Sequence, residues 1–332
     1  MIMKKIINRL RLFQDYFFKK TKVSGLPIEL VIEVTNKCNL CCVMCTRKQM
    51  KRKIGLMNFA LYKKIIDEIS AYMELVYLHG LGEPLFHPNI FKMISYAKQK
   101  GLSVGISTNA TILDKNKAQE LLSSGLDYLI IALDAATADT YRKIRGGNFD
   151  VVVKNVKEYL RLKRRAKKSP FTVLQFVKTE ANKNEVKRFR QMWQNKGAEV
   201  IRIKPVIDLL KEKGSREKTF SRPCFYLWRQ LNMISWDGKI VTPCCMVTND
   251  EYPLGDATKQ TIASIWNGPA MVALRKAQLN GQWKKMPLCK NCTYPQPSIL
   301  GKLGAFIVPE VTIKKILPFL ENLTAGKFVI YD

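Results

Sequence analysis

Between residues 28 and about 204, short apolar runs of strand length alternate with segments whose apolar residues recur at helical spacing. The runs are ELVIEVT (29–35), LVYLH (75–79), LSVGIST (102–108), YLIIALD (128–134), FTVLQFV (171–177) and EVIRIKP (199–205). Helical patterns cover 58–73, 89–100, 114–124, 150–166 and 184–196. The alternation predicts six β/α units. The fold class is therefore α/β, a parallel sheet curled into a partial (β/α)6 TIM-like barrel with function at the C-terminal ends of its strands.

Outside that region the pattern changes. Ile2, Ile6, Ile7, Leu10, Phe13, Phe17 and Phe18 fall at near-helical spacing among Lys4, Lys5, Arg9, Arg11, Lys19 and Lys20. That segment is either a helix packed on the barrel or a basic amphipathic helix resting on an anionic membrane. Residues 206–222 are charged and contain Gly and Ser, as a linker does. Beyond them NMISW and KIVTP flank Asp237-Gly238, which predicts a hairpin in a small Cys-rich domain. The basic run RLKRRAKK (161–168) reads as the solvated end of a helix. No internal repeat is present. The expected divisions are an N-terminal helix over 1–25, the barrel over 26–206, the Cys-rich domain over 207–297 and a tail over 298–332.

Composition narrows the setting. With 332 residues, 47% hydrophobic, the chain can bury a full core and is not disordered. Lys and Arg number 56 against 27 Asp and Glu, a net charge of +29 that favours anionic partners without choosing among them. The N-terminus lacks a continuous apolar stretch, so neither a secretory signal nor a membrane span is expected, and the predicted location is cytoplasmic. The nine cysteines fall in two tight groups instead of a spread disulfide framework, which points to metal in a reducing compartment.

The first group, TNKCNLCCVMC, follows directly on the first strand run. Cys38, Cys42 and Cys45 have the spacing C-x3-C-x2-C. Three thiolates on one loop can hold three irons of a cubane and leave the fourth without a protein ligand, the open position a substrate-activating metal needs. Zinc sites more often take four ligands in two pairs. Cys41 fits no such register and reads as a non-ligand.

This constellation resembles the radical S-adenosylmethionine (SAM) superfamily. GLGEP (80–84) is similar to that family's motif after the second strand, with Leu81 in place of a glycine. The resemblance implies that Gly80, Gly82 and Glu83 hold the SAM amino group, that Ser107 and Asn109 of STN contact the ribose, and that Arg145 of ALDAATADTYRKIRGG pairs with the SAM carboxylate. His79 and His87, the two histidines of the chain, read as hydrogen-bonded loop residues.

The second group comprises Cys224 in RPCFYLW, Cys244 and Cys245 in DGKIVTPCC, and Cys289 and Cys292 in PLCKNC. It resembles the shortened SPASM domain called twitch, which implies one auxiliary 4Fe-4S cluster on Cys224, Cys244, Cys289 and Cys292, with Cys245 the rival of Cys244; four thiolates in this order also suit zinc. The expected cofactors are thus a SAM-binding 4Fe-4S cluster, a second one, and SAM, with a flavodoxin- or ferredoxin-type protein as reductant. The resemblance implies SAM cleavage to a 5'-deoxyadenosyl radical that takes a hydrogen atom from a substrate, with no catalytic side chain assigned beyond the cluster. The arrangement is similar to radical SAM dehydrogenases of aminocyclitols, so a carbohydrate-like small molecule is the expected substrate. A maturase acting on a ribosomal peptide or protein is the alternative, and nucleic acid is disfavoured. A non-catalytic electron carrier would account for the cysteines but not for GLGEP.

Overall fold

The computed structural model describes residues 2–206, 223–244, 252–286, 289, 292, 296–309 and 312. All but Val206 of the expected linker (206–222), and Cys245, lie outside the described residues.

Six strands, β1 (Glu29–Ile32), β2 (Leu75–Tyr77), β3 (Ser103–Thr108), β4 (Tyr128–Ala132), β5 (Phe171–Lys178) and β6 (Val200–Pro205), lie side by side in chain order, each parallel to the next. They coincide with the six apolar runs but end two or three residues earlier at β1, β2 and β4, where Glu33, Leu78 and Leu133 still donate to the neighbouring strands. Between them run α2 (Phe59–Ile69), α3 (Ile90–Gln99), α4 (Lys115–Ser123), α6 (Phe149–Arg165) and α7 (Val186–Trp193). Side-chain oxygens of Asn58, Asp114 and Asn148 accept from the first free N–H groups of α2, α4 and α6. One further helix, α5 (Ala138–Arg145), sits inside the stretch after β4. Its apolar residues Ala138, Tyr141 and Ile144 recur at helical spacing, Thr137 caps its start, and Gly146, at φ 76°, ends it in the left-handed region.

The second half joins the same sheet. β7 (Gln230–Ile234) pairs in parallel with β1, Glu29 beside Gln230 and Ile32 beside Ile234, and β8 (Val241–Thr242) returns antiparallel through the expected Asp237-Gly238 turn. The sheet order is β6-β5-β4-β3-β2-β1-β7-β8. Outside it lie α8 (Ile262–Trp266), α9 (Pro269–Leu279) and α10 (Ile299–Ile307). The N-terminal helix α1 (Ile2–Phe17) packs on this half of the molecule and on α10. Among the described residues no helix is long and apolar enough to cross a membrane.

The run RLKRRAKK is not wholly a solvated helix end. Lys163 is buried and pairs with Glu199 just ahead of β6, and it also donates to the Gly197 carbonyl, so α6 is fastened to the next strand by a charge placed among the others.

Arg275 of α9 ties the N-terminal segment to the second half. Fully buried, it donates to the carbonyls of Leu227 (2.9 Å), Thr21 (3.1 Å) and Trp266 (3.0 Å), and its guanidinium lies 4.3 Å from the Trp266 ring centroid. Replacement by leucine leaves two buried carbonyls, at Leu227 and Trp266, without that donor, each worth roughly 1–3 kcal/mol, and a half-buried one at Thr21. Arg275→Leu is therefore expected to lower the thermal midpoint by several degrees, measured by circular dichroism, while Arg161→Leu on the surface of α6 leaves it within one or two degrees.

Candidate functional site

The loop after β1 carries the first cysteine group. Its path is fixed from both sides: Val43 N–H donates to the Ile144 carbonyl at 2.9 Å, Cys45 N–H to Cys42 at 3.1 Å, and Glu83 N–H to Lys37 at 2.8 Å. Cys38, Cys42 and Cys45 are half-buried and line one cavity, whereas Cys41 is exposed and does not line it. Two donors reach the Cys38 sulfur, Leu40 N–H at 3.5 Å and Asn109 Nδ2 at 3.7 Å. Burial pushes the Cys38 and Cys42 thiols above their ordinary range, and Arg145 beside Cys42 works against it. A bound metal would draw off those protons.

Among the described residues no three His, Cys, Asp or Glu side chains are placed to share a single metal ion. The donor set suits a cluster, in which each thiolate takes its own iron, better than a mononuclear zinc ion, whose ligands crowd one atom. Cys38, Cys42 and Cys45 are the residues that would hold it.

The GLGEP loop lies against the start of that cysteine loop. A Cβ on Gly82 would meet the Thr35 carbonyl oxygen at 2.2 Å, so only glycine lets the two loops approach so closely. Gly80, Gly82 and Glu83 all line the cavity. The Glu83 carboxylate is nevertheless committed inward: it is 2% exposed and accepts from Thr108 Oγ1 (2.7 Å), Asn109 N–H (2.6 Å) and Leu85 N–H (3.2 Å). Backbone is thus what this loop offers a ligand, and Glu83 holds the end of β3 in place.

Ser107 and Asn109 line the same wall. Asn109 Nδ2 also donates to Asn39 at 3.1 Å, which links the end of β3 to the cysteine loop, and its Oδ1 accepts from Thr111 N–H at 2.9 Å. Arg145 reaches the cavity from α5 and gives Nε (2.9 Å) and one Nη to Asp134 Oδ2. Asp134 is fully buried, takes Val177 N–H at 2.7 Å, and has φ 61° in the left-handed region that β4 must adopt to aim it. The pair presents Arg145 beside Cys42 as an oriented cation.

Sequence reasoning missed Asp134, Glu33 and Arg52. Glu33, fully buried after β1, receives both Nη atoms of Arg52 at 2.7 and 2.9 Å and two longer contacts, at 3.4 Å, from the N–H groups of Leu81 and Trp236. One carboxylate thereby joins the cysteine loop, the GLGEP loop and the β7–β8 hairpin. The signal was available, since an acid inside an otherwise apolar strand run needs a buried partner. His87 is a hydrogen-bonded loop residue as expected, with Nε2 3.0 Å from the Met57 carbonyl, while His79 faces the cavity with its ring 5.1 Å from Tyr77.

The second cysteine group faces the same cavity, of about 410 Å³, which Cys224, Cys244, Cys289 and Cys292 line opposite the first. Gln278 Nε2 donates to the Cys289 sulfur at 3.1 Å and Gln296 Nε2 lies 3.7 Å from that of Cys224. These sulfur-directed amides suit thiolates carrying negative charge.

Burial outweighs its three hydrogen bonds and pushes the Glu83 carboxyl up to about 7. An acid raised on folding binds a proton more tightly in the native state, so stability falls as pH rises from about 4.5 to about 7. Urea unfolding of the metal-free protein is expected to show that decline, on the order of 3 kcal/mol at most. The slope is reduced in Glu83→Gln, which has no proton to lose; an unchanged slope counts against the assignment.

The Radical SAM superfamily model matches residues 32–192, and an iron-sulfur cluster-binding domain model, SPASM, matches residues 224–293. The tungsten-containing aldehyde ferredoxin oxidoreductase cofactor-modifying protein of Pyrococcus furiosus is 24% identical over 315 residues, spanning 80% of this chain and 86% of that one. Mycofactocin maturase MftC of Mycobacterium tuberculosis is 36% identical over 130 residues, which is 39% of this chain and only 33% of the relative. Among solved structures, Streptococcus suis SuiB bound to precursor peptide SuiA superposes with a TM-score of 0.65 at 14% identity, over 85% of this chain and 74% of that one, and so shares the fold. The chain belongs to the radical SAM superfamily and carries a C-terminal SPASM-type auxiliary domain, so its cofactors are 4Fe-4S clusters and S-adenosylmethionine.

Proposed function

We propose that this radical SAM enzyme oxidises a small, polar, carbohydrate-like molecule. SAM would lie along the wall made by the backbone of Gly80 and Gly82 with Ser107, Asn109 and Arg145, next to a cluster on Cys38, Cys42 and Cys45. When bound, that cluster supplies the electron that splits SAM and yields the hydrogen-abstracting 5'-deoxyadenosyl radical. Electrons would reach it from a flavodoxin- or ferredoxin-type protein.

The observation that carries the reading is the shared cavity. Between the two cysteine groups it is lined by Gln175, Lys204, Gln230 and Asn232 from strands of the sheet, while Glu29 is held in a buried pair with Arg229 at 3.1 Å. Amides and an ammonium on rigid strands suit a substrate rich in hydroxyl groups. Its volume of about 410 Å³ is modest once SAM is inside. A substrate C–H that gives up a hydrogen atom and then a proton and an electron becomes an oxidised product, and the wall holding Cys224, Cys244, Cys289 and Cys292 is where that electron would leave.

A maturase acting on a peptide is the second reading, supported by likeness to MftC and to a SuiB structure with a bound precursor peptide; one side chain of a peptide would enter the same space. A pure electron carrier leaves the polar lining unused.

Two experiments test the proposal. Reconstituted, dithionite-reduced protein incubated with SAM is expected to form 5'-deoxyadenosine. Replacement of Cys38, Cys42 and Cys45 together by alanine abolishes this yet leaves an iron-sulfur absorbance from the second site; loss of all iron contradicts two separate ligand sets. Cys289→Ala with Cys292→Ala is expected to keep uncoupled 5'-deoxyadenosine formation and lose net product. Turnover of the substrate at the wild-type rate in that variant, or zinc in place of iron at the C-terminal site, sinks the electron-acceptor role.

A further inference from the structure

An ordinary packed helix turns its apolar stripe to the core, and helix α1 turns only part of its apolar residues there: Leu12 is buried and Phe13 and Tyr16 pack against the core. The rest of its inward side is polar and firmly fastened. Asn8 exchanges two hydrogen bonds with the backbone of Leu26, at 2.8 and 2.7 Å. Arg9 pairs with Glu74 at 3.0 Å and donates to the Ile307 carbonyl at 3.2 Å. Fully buried Asp15 accepts from Ser24 N–H, Ser24 Oγ and Gly25 N–H at 2.6, 2.9 and 2.9 Å. Lys5 reaches the Gly101 carbonyl at 3.1 Å. Leu12 is the one residue of α1 both apolar and buried.

The apolar stripe is left outside. Ile2 is 76% exposed, Met3 66%, Leu10 52%, and Phe17 and Phe18 67% each, with Ile6 and Ile7 between them. The surface continues onto α10, where Ile299 and Ile307 are exposed and Phe306 packs 5.9 Å from Phe13. Lys4 and Arg11, seven residues apart and so on one side of the helix, border the stripe; Lys19, Lys20 and Lys22 follow at its end, and the sole acid of the helix, Asp15, faces inward.

We propose that the outward face of α1 is a docking surface for an anionic lipid bilayer, on which the helix lies flat with its stripe at the level of the acyl boundary. Charge selects this occupant. A second copy of the chain would bring another +29 to a face already rimmed with cations, whereas anionic headgroups neutralise that rim while the apolar stripe leaves water. The surface is separate from the cavity, so the inference stands independently of the reaction proposed above.

The test is co-sedimentation of the full-length, cluster-loaded protein with vesicles of phosphatidylcholine and phosphatidylglycerol, set against vesicles of phosphatidylcholine alone. Binding is expected to the anionic vesicles only, and to be lost in 1 M salt, where screening shortens from about 10 Å at 0.1 M to about 3 Å. Ile7→Asp with Leu10→Asp, and separately Lys4→Glu with Arg11→Glu, are each expected to weaken partitioning about ten-fold or more while 5'-deoxyadenosine formation stays at the wild-type rate. Equal partitioning of wild type and both variants overturns the proposal. So does a dimer in sedimentation equilibrium that Leu10→Asp dissolves, or an environment-sensitive dye on Leu10→Cys that reports apolar surroundings before lipid is added.

Discussion

The pairing of β7 with β1 is the contact on which the site depends. Parallel strands need a long crossover between them, and here the crossover is the entire barrel: residues far apart in the chain, Glu29 and Gln230, become ladder neighbours. Without that ladder the two cysteine groups would belong to unrelated parts of the molecule. With it, they look at each other across one cavity. Glu33, which accepts from Arg52 and lies against the N–H groups of Leu81 and Trp236, guards that seam, and Arg275 binds the N-terminal segment to the half that carries β7.

Three buried carboxylates stand around the first cysteine loop, and each has a distinct mechanical task. Glu33 gathers loops, Glu83 anchors the end of β3, and Asp134 aims Arg145. Burying an acid is unfavourable unless its lone pairs are filled, and every one of these is filled by backbone N–H groups, hydroxyls or a guanidinium. The result is a rigid rim, made stiffer by left-handed backbone at Ala110 and Asp134 directly after β3 and β4. Such a rim suits a cofactor whose reactive intermediate must be kept from stray C–H bonds.

Much of this was legible in the chain. The six apolar runs mark the six strands because a strand in a parallel sheet is buried on both faces and leaves an unbroken apolar signature. The C-x3-C-x2-C spacing picked out the cavity-facing thiols and set Cys41 aside, since three residues on a short loop have few ways to face one point. What remained hidden is what depends on long-range partners. Nothing local distinguishes Lys163, paired with Glu199, from the solvated lysines beside it. Nor does the periodicity of residues 2–20 say which face turns inward; polar anchors to Leu26, Ser24 and Glu74 decided that, against the usual hydrophobic rule. In α5 the apolar residues Ala138, Tyr141 and Ile144 do recur at helical spacing, but over only eight residues.

Tyr16 of α1 sits with its ring 5.4 Å from Phe225 and 5.8 Å from Trp228, in the segment immediately after Cys224, and burial together with that cysteine raises its hydroxyl to about 12. The N-terminal helix and the C-terminal cysteines are therefore two ends of one packed unit. Any change in how α1 is seated is therefore felt first at the aromatic ring packing beside Cys224.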